Sequence, residues 1–422
     1  MPRPVIGLAL LLGSLLAANL VLRHFHYSNS LQYLRMAVTD EASTDSWAPM
    51  TRALAAWDAG QPIYQTAYFS EHERQPFLYP LSSLLLPLSM RPFVSDDVTM
   101  GRALNRAGLL ATLLFVGCTM RLVSAWSIFG VARGRGTFAF ALCLVAGIAA
   151  LNFPLQMTYL LGQAQTLVNL GLAAALVAWS SDRPVAAGIA IGVASLIKPY
   201  LALFLLWGLI RREWRFVAGT AVTIAIGATV AVQVFGLAQN LSYVPVLVDV
   251  THRGSALYAN QSMNGVLNRL VLPVEAQHTT NSQFPPQLVV LAGSLVTTLI
   301  LLGTALAMPL RLGFPGRPLD FGIMGLSITM ATPLAWDHNY AVLLPITAIA
   351  AGMAIERRPI ATSALVVFAA ALLVTGTLWE PLLAFEAPPA NLVQSYVLFG
   401  ATLGLLAMYR VGTDVTSTHE PA

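Results

Sequence analysis

Apolar runs of about 17 to 25 residues, the length a helix needs to cross a bilayer, recur along this chain from one end to the other. They fall at 4–22, 105–122, 136–153, 164–180, 216–235, 287–308, 319–335, 340–355, 359–378 and 391–409. Two more, 184–197 and 200–210, are short. At ~1.5 Å per residue, the shorter of them covers roughly half of a ~30 Å hydrocarbon core. This pair is therefore expected to be extended by its neighbours, met by a thinned bilayer, or buried among other helices. Composition agrees: 56% of the 422 residues are hydrophobic, 10% are charged and the mean hydropathy is +0.69. Soluble domains carry about 25% charged residues, so a soluble globular fold is excluded. The reading is an all-α polytopic membrane protein with about twelve spans, forming a single domain over 1–422.

Arginine placement orients the spans. With Arg133 and Arg135, Arg183, the cluster Arg211–Arg215, Arg311 and Arg317, Arg357 and Arg358, and Arg410 all on the cytoplasmic side, the spans alternate without conflict and both termini lie inside. The first run reads as an uncleaved span rather than a cleaved signal, because the rest of the chain is also polytopic. Tyr79–Met90 is too short to cross and reads as a re-entrant or interfacial helix. Two large connections, 23–77 and 236–286, then face outward, and the chain is expected in the cytoplasmic membrane with its chemistry on the extracytoplasmic side. Cys118 and Cys143 lie in apolar stretches and read as buried free thiols. No cluster of basic residues is dense enough for nucleic acid.

In this topology the polar clusters share one face. They are residues 40–45, Gly162-Gln163, Lys198-Pro199-Tyr200, Asn260 to Asn268, and Trp336-Asp337-His338. No Asp, Glu, Lys or Arg lies mid-span, which argues against a proton relay or ion-coupled transporter. Trp47, Met50, Leu54 and Trp57 form an apolar helical stripe in the first connection, suited to lying flat on a membrane. Pro49 belongs to a first helical turn, so this helix starts near Ser46 and places Asp45 at its N-terminal edge. Asp45 is then either a cap or a general base for an acceptor hydroxyl, with Asp40 and Glu41 as competitors. Lys198, the chain's sole lysine, either snorkels or holds a phosphate. Asn260, Asn264 and Asn268, spaced by four, either hold sugar hydroxyls or tie a loop. His338 beside Asp337 is either structural or an oriented imidazole. His24, His26, His72, His252 and His278 form no spaced ligand set with it, so metal ligation is not expected.

In order, an acidic residue before an amphipathic helix, Ala-Gly-Gln-Pro-Ile-Tyr (59–64), Tyr79-Pro80, Leu160-Leu161-Gly162-Gln163, Lys198-Pro199-Tyr200, Asn260-Gln261-Ser262-Met263-Asn264-Gly265 and Trp336-Asp337-His338 resemble glycosyltransferase family 87. The resemblance covers about 40–345. It implies a GT-C membrane fold and an α-mannosyltransferase that uses a polyprenyl-phosphate sugar. It also implies transfer with inversion to a hydroxyl of a lipid-linked or cell-envelope glycan. Asp45 is then the best match for the essential acid and His338 for a histidine near the donor phosphate. Tyr79, Gln163, Lys198, Tyr200, the three asparagines, Trp336 and Asp337 match pocket motifs. No cofactor and no metal are implied, because the leaving phosphate is already ionised. The chain has Tyr79-Pro80-Leu81 where members often have Tyr-Pro-Pro, and His338-Asn339 in place of a His-His pair. Arabinofuranosyl or other hexosyl transfer therefore stays open, as does a lipid-linked-glycan transporter or a scaffold subunit.

Overall fold

The structure, a computed structural model, describes residues 3–39, 42–68, 76–94, 96–125, 135–278, 285–356 and 361–413. The α-helices among them, in chain order, begin with α1 (Arg3–His24), α2 (Ser30–Val38), α3 (Trp47–Asp58), α4 (Ile63–Ala67), α5 (Leu85–Met90), α6 (Asp97–Ala125) and α7 (Arg135–Ala150). They continue with α8 (Phe153–Leu160), α9 (Gln165–Ser180), α10 (Pro184–Ile197), α11 (Phe204–Arg211), α12 (Trp214–Phe235), α13 (Leu237–Leu241) and α14 (Tyr243–Arg253). The last are α15 (Met263–Val271), α16 (Leu288–Arg311), α17 (Pro318–Ala331), α18 (Leu343–Glu356), α19 (Ala361–Gly376) and α20 (Tyr396–Thr413). The described residues form no strand beyond an isolated bridge between Asn260 and Trp336.

Six segments are long and apolar enough to cross a membrane: Val5–His24, Asp97–Ser124, Trp214–Phe235, Leu288–Arg311, Asp337–Ile355 and Ala390–Thr413. Helices α7 and α8 qualify together as a seventh, bent by 61°. Five further apolar helices are shorter, 199–211 among them. Each of these segments corresponds to one of the sequence runs, so the chain is an all-α polytopic membrane protein. The bend is the main departure from the simple reading of 136–153. Helix α7 stops at Ala150, Asn152 accepts the Leu155 N–H at 3.0 Å, and Pro154 sits in the first turn of the new helix. An Asx cap followed by proline starts a helix afresh rather than continuing the old one.

Buried helices lie inside and lipid-compatible ones outside. Every described residue of α17 from Leu319 to Met330 is buried, whereas α12 and α16 turn most of their Val, Ile and Leu side chains outward. The short pair 184–197 and 200–210 is packed rather than stretched. Helix α10 lies so close to α12 that a Cβ at Gly188 would sit 2.3 Å from the Phe216 carbonyl oxygen and one at Gly219 2.6 Å from that of Val185. Small residues permit this approach, the usual device of helix pairs in lipid. At one end of the bundle Trp179, Phe204, Trp207, Phe216 and Phe321 interlock with centroids 4.6–6.2 Å apart. Beside them Arg211 forms a two-pronged ion pair with Asp320 (2.7 and 3.1 Å), both side chains at 1% exposure or less. The sequence places Arg211 in a surface cluster, and the structure puts it inside. The Leu306 and Ala305 carbonyls take two of its three remaining N–H groups, so the guanidinium is largely solvated by the protein itself.

The two large connections fold over the other end. The stripe of α3 does not lie on lipid: Trp47, Met50, Ala53 and Leu54 are buried in a protein core with Ile63, Tyr64, Phe77, Leu84, Phe235 and Val246. Ala53 and Ala56 widen the stripe into a full apolar face, and a face that wide packs on protein. Tyr79–Met90 is not among the helices long and apolar enough to cross a membrane. It breaks into a 3₁₀ turn (Leu81–Leu84), α5 and a second turn (Arg91–Phe93), with Ser82 Oγ donating to the Leu196 carbonyl at 2.6 Å. Arg91 clasps Asp58 through two hydrogen bonds of 2.9 and 2.6 Å. The connections also hold each other: Tyr68 OH donates to Asp249, Tyr243 OH to the Leu78 carbonyl, and Ile63 N–H to Gln239. Both cysteines are free, but Cys118 is only half-buried and Cys143 is exposed. An exposed thiol in an apolar helix is compatible with lipid, which is why sequence polarity alone misplaced it.

Candidate active site

Three backbone hydrogen bonds lay residues 43–46 against the end of α8. The N–H groups of Ser43, Asp45 and Ser46 donate to the carbonyls of Leu160, Leu161 and Gly162 at 2.6, 2.9 and 3.2 Å. The approach requires Gly162, which has φ +58°, and a Cβ there would lie 2.1 Å from the Ser43 carbonyl oxygen. Asn105 secures the same segment by accepting from Trp47 Nε1 and donating to the Ser43 carbonyl. Asp45 precedes the N-cap of α3 rather than filling it. Ser46 occupies that position and its hydroxyl caps nothing in α3. The half-buried Asp45 carboxylate receives the Ser43 hydroxyl at 2.7 Å. Asp40 and Glu41 lie outside the described residues.

Ser46 is the hub that sequence reasoning missed. Its Oγ lies 2.6 Å from Tyr79 OH, donates to Gln163 Oε1 at 2.8 Å and accepts the Ala164 N–H at 3.0 Å. Burial and the nearby Asp45 charge push the Tyr79 phenol up to about 12 despite the Ser46 bond. Tyr79 therefore stays protonated as a donor. Its ring packs beside Phe77, and its carbonyl accepts the Tyr64 hydroxyl at 2.7 Å.

The same turn of α8 reaches His338. Thr158 Oγ1 shares its one hydrogen between the Pro154 carbonyl of its own helix at 2.7 Å and the His338 carbonyl at 3.0 Å, three residues before the Leu161 carbonyl that anchors Asp45. Residues three apart on a helix are neighbours, ~5–6 Å between Cβ atoms. Asp45 and His338, 293 positions apart by number, thus hang from one helical turn, and both the Asp45 and Asp337 carboxylates exert their charge on the imidazole. Asp337 Oδ1 accepts the His338 N–H at 2.6 Å and lies 3.4 Å from Nδ1. His338 is 4% exposed and its Nε2 has no hydrogen-bond partner among the described residues. A buried imidazole nitrogen without a partner needs an explanation, and a bound ligand is one. Behind it runs a second missed chain: Gln165 Nε2 donates to Asn169 (2.7 Å) and Asn169 to Thr158 (3.5 Å). The i, i+4 amide pair at the start of α9 was its only sequence signal.

Lys198 joins from the break after α10. Its Nζ donates to Asn339 Oδ1 at 3.3 Å, while Asn339 Nδ2 lacks a partner among the described residues. Lys198 has no carboxylate partner in the ion pairs among the described residues, and burial pulls its ammonium down to about 7. Tyr200, two residues on, is half-buried and within electrostatic reach of Tyr79. Asp45, Tyr79, Gln163, Lys198, Tyr200 and Trp336 all keep partial exposure, as side chains lining one opening do. No group of three or more His, Cys, Asp or Glu side chains among the described residues is arranged to hold a metal.

The asparagines are placed differently from the sugar-holding reading. Asn260 is fully buried, donates to the Ser255 and Pro333 carbonyls, and accepts from Ser262 Oγ and the Ala335 N–H. Asn268 donates to the Arg253 carbonyl and to Asn264 Oδ1, which also takes the Ser255 N–H. Their bonds bind 253–262 to 333–337, and the loop-tying alternative is the one their contacts satisfy. With the Asn260–Trp336 bridge and the Gln261 and Asp337 N–H bonds to Ala335 and Ala259, they set the position of Trp336-Asp337-His338 from behind.

The chain is 25% identical over 344 residues to the polyprenol-phosphate-mannose-dependent alpha-(1-2)-phosphatidylinositol mannoside mannosyltransferase of Mycolicibacterium smegmatis, covering 78% of this chain and 73% of that protein. No solved structure matches it. The profile of glycosyltransferase family 87 matches residues 77–336, which takes in Tyr79, Gln163, Lys198, Tyr200 and Trp336 and stops just short of His338. With that match over more than half its length, on an all-α polytopic scaffold, the chain belongs to glycosyltransferase family 87 and is a membrane glycosyltransferase.

Proposed function

We propose that this glycosyltransferase moves a sugar, mannose in the simplest case, from a polyprenyl-phosphate donor to a hydroxyl of a lipid-linked or cell-envelope glycan, with inversion and on the extracytoplasmic face. The observation that carries the proposal is that Asp45 and His338 hang from one turn of α8 with Lys198 alongside. Asp45 takes the acceptor hydroxyl's proton as that oxygen attacks the anomeric carbon. The bond from that carbon to the phosphate oxygen breaks, and the polyprenyl phosphate leaves with the electron pair. The leaving phosphate needs countercharge rather than a proton: Lys198 supplies a cation beside it, and His338, with Asp337 beside Nδ1 to stabilise an imidazolium, donates from its partnerless Nε2 when the ring is protonated on both nitrogens. The reaction as written asks for no metal. A mannose donor agrees with the activity for which the mycobacterial relative is named.

The test is a panel of polyprenyl-phosphate sugars offered to purified protein with a glycolipid acceptor. Mannose transfer is expected from the wild type, and Asp45→Asn is expected to lose about 10²- to 10⁴-fold in turnover, the usual worth of a general base, while binding donor normally. Consumption of no donor, or an Asp45→Asn variant as fast as the wild type, refutes the respective part.

A further inference from the structure

Contacts among the polar groups around Lys198 close into a ring. Gln165 Nε2 donates to Asn169 Oδ1 (2.7 Å), Asn169 Nδ2 to Thr158 Oγ1 (3.5 Å), and Thr158 Oγ1 to the His338 carbonyl (3.0 Å). Asn339, the next residue, takes the Lys198 ammonium on Oδ1 at 3.3 Å, and the Tyr200 hydroxyl reaches back to the Gln165 amide. Three buried polar atoms of this ring have no hydrogen-bond partner among the described residues: Gln165 Oε1, Asn339 Nδ2 and His338 Nε2, on residues 1%, 0% and 4% exposed. Buried polar groups are nearly always paired, so several such atoms in one ring point to a ligand.

The ring's own members fix the direction of each hydrogen bond. The Thr158 hydroxyl has one hydrogen, shared by the Pro154 and His338 carbonyls, so toward Asn169 it can only accept. Asn169 must therefore turn its NH2 to Thr158 and its carbonyl oxygen to Gln165. Gln165 in turn must present its NH2 to Asn169, which leaves Oε1 as an acceptor with no hydrogen to give. Lys198 has donors alone, so Asn339 must offer it Oδ1, which leaves Nδ2 as a donor. The amide orientations thus follow from the network.

An ionised phosphate oxygen brings no hydrogen: Gln165 Oε1 repels it, whereas Asn339 Nδ2 and Lys198 attract it. A sugar hydroxyl can donate to Gln165 Oε1. Gln165 also follows Ala164, whose N–H holds Ser46, the neighbour of Asp45. The hydroxyl acceptor is thus tied to the proposed base and the phosphate donors to Lys198, the order in which inversion needs a sugar and its leaving group.

We infer that Gln165 Oε1 accepts a hydrogen bond from one hydroxyl of the donor's sugar and helps determine which sugar is transferred, while Asn339 Nδ2 joins Lys198 on the phosphate. This rests on the polyprenyl-phosphate donor proposed above. The test offers the purified full chain the polyprenyl-phosphate sugar it transfers, mannose expected, and the monodeoxy analogues, one for each hydroxyl. Binding of polyprenyl phosphate without sugar is measured in parallel.

With the wild type, one analogue is expected to fall about tenfold or more in kcat/KM, as happens when a site built around a hydroxyl meets its absence. Gln165→Met, of similar length but without the acceptor, should be about tenfold slower on the full donor and treat that analogue and the full donor within about twofold of each other. It should bind the sugar-free carrier as the wild type does. Gln165→Glu keeps an acceptor while losing the donor to Asn169, and should keep the preference. Asn339→Asp, which keeps Oδ1 for Lys198 but turns an acceptor to the phosphate, should bind the sugar-free carrier about tenfold more weakly, and Asn339→Leu, which removes the donor without adding charge, should follow it. A wild type indifferent to every hydroxyl, a preference lost in Gln165→Glu, or a Gln165→Met variant that slows all donors by one factor or loses the carrier itself overturns the sugar assignment. Unchanged carrier affinity in the Asn339 variants overturns the phosphate assignment. Each of these leaves transfer itself standing, whereas a wild type that consumes no donor and binds no carrier overturns the donor proposal and this inference together.

Discussion

Replacing Gly162 by alanine isolates the contact that positions the proposed base. The residue has φ +58°, a conformation costing a side-chain-bearing residue about 1–2 kcal/mol. The new methyl would sit 2.1 Å from the Ser43 carbonyl oxygen and 2.9 Å from Asn105 Oδ1. Neither the carbonyl nor the tied amide can step aside, so residues 43–46 must withdraw by roughly an ångström from the Leu160, Leu161 and Gly162 carbonyls. Each of the three hydrogen bonds weakened there is worth about 0.5–1.5 kcal/mol, so their full loss with the strain included would cost about 2.5–6.5 kcal/mol. A misplacement of that size at a reacting group reduces turnover by about 10²-fold. Gly60 is the control: φ is +67° and nothing lies within 4 Å of its added Cβ, so Gly60→Ala suffers only the backbone term. Initial rates of sugar transfer, with thermal unfolding measured in parallel, should show both variants folded and only Gly162→Ala slow. If Gly162→Ala kept half the wild-type rate, or Gly60→Ala lost as much, the claim that this contact aims Asp45 would be wrong.

Lys198 supplies a pH prediction. Burial draws its ammonium down to about 7, and phosphate binding needs the charged form, so donor affinity is expected to be full below that value and to weaken as pH rises. The limiting slope is about tenfold per pH unit. Lys198→Arg keeps its charge and should flatten the dependence of donor KM on pH between 7 and about 9; an unchanged slope would discard Lys198 as the titrating group. At the other end, Arg211→Met or Asp320→Asn leaves one buried charge unpaired and should cost about 3–5 kcal/mol, seen as a lowered Tm in detergent. The double variant Arg211→Met/Asp320→Leu should recover most of the loss. Single variants as stable as the wild type would remove the pair from the account of the fold.

The apolar helices of a polytopic membrane protein were legible because lipid imposes one rule, a sufficient apolar length, and that rule acts on each helix alone, although six or seven of the roughly twelve expected spans meet it among the described residues. The tie between polar clusters was partly legible: Gly162 and Ser46 stood beside motif residues, but nothing in the chain says that Ser46 abandons its cap to bond Tyr79 and Gln163. Illegible were features decided by partners. The stripe of α3 reads the same whether it meets lipid or Phe235. Arg211 reads as surface charge until Asp320 is placed beside it. The four-residue spacing of the asparagines fits sugar recognition and loop tying equally, and only the carbonyls of Ser255, Pro333 and Arg253 decide between them.

The short helix after the 61° bend has a mechanical consequence. It is the common mount for a carboxylate from the start of the chain and an imidazole from near its end, as an optical bench carries two lenses on one rail. If the proposed reaction holds, a shift of the outer helices would move the rail and what it carries together, so that the two groups proposed to react stay in register while the rest of the assembly yields.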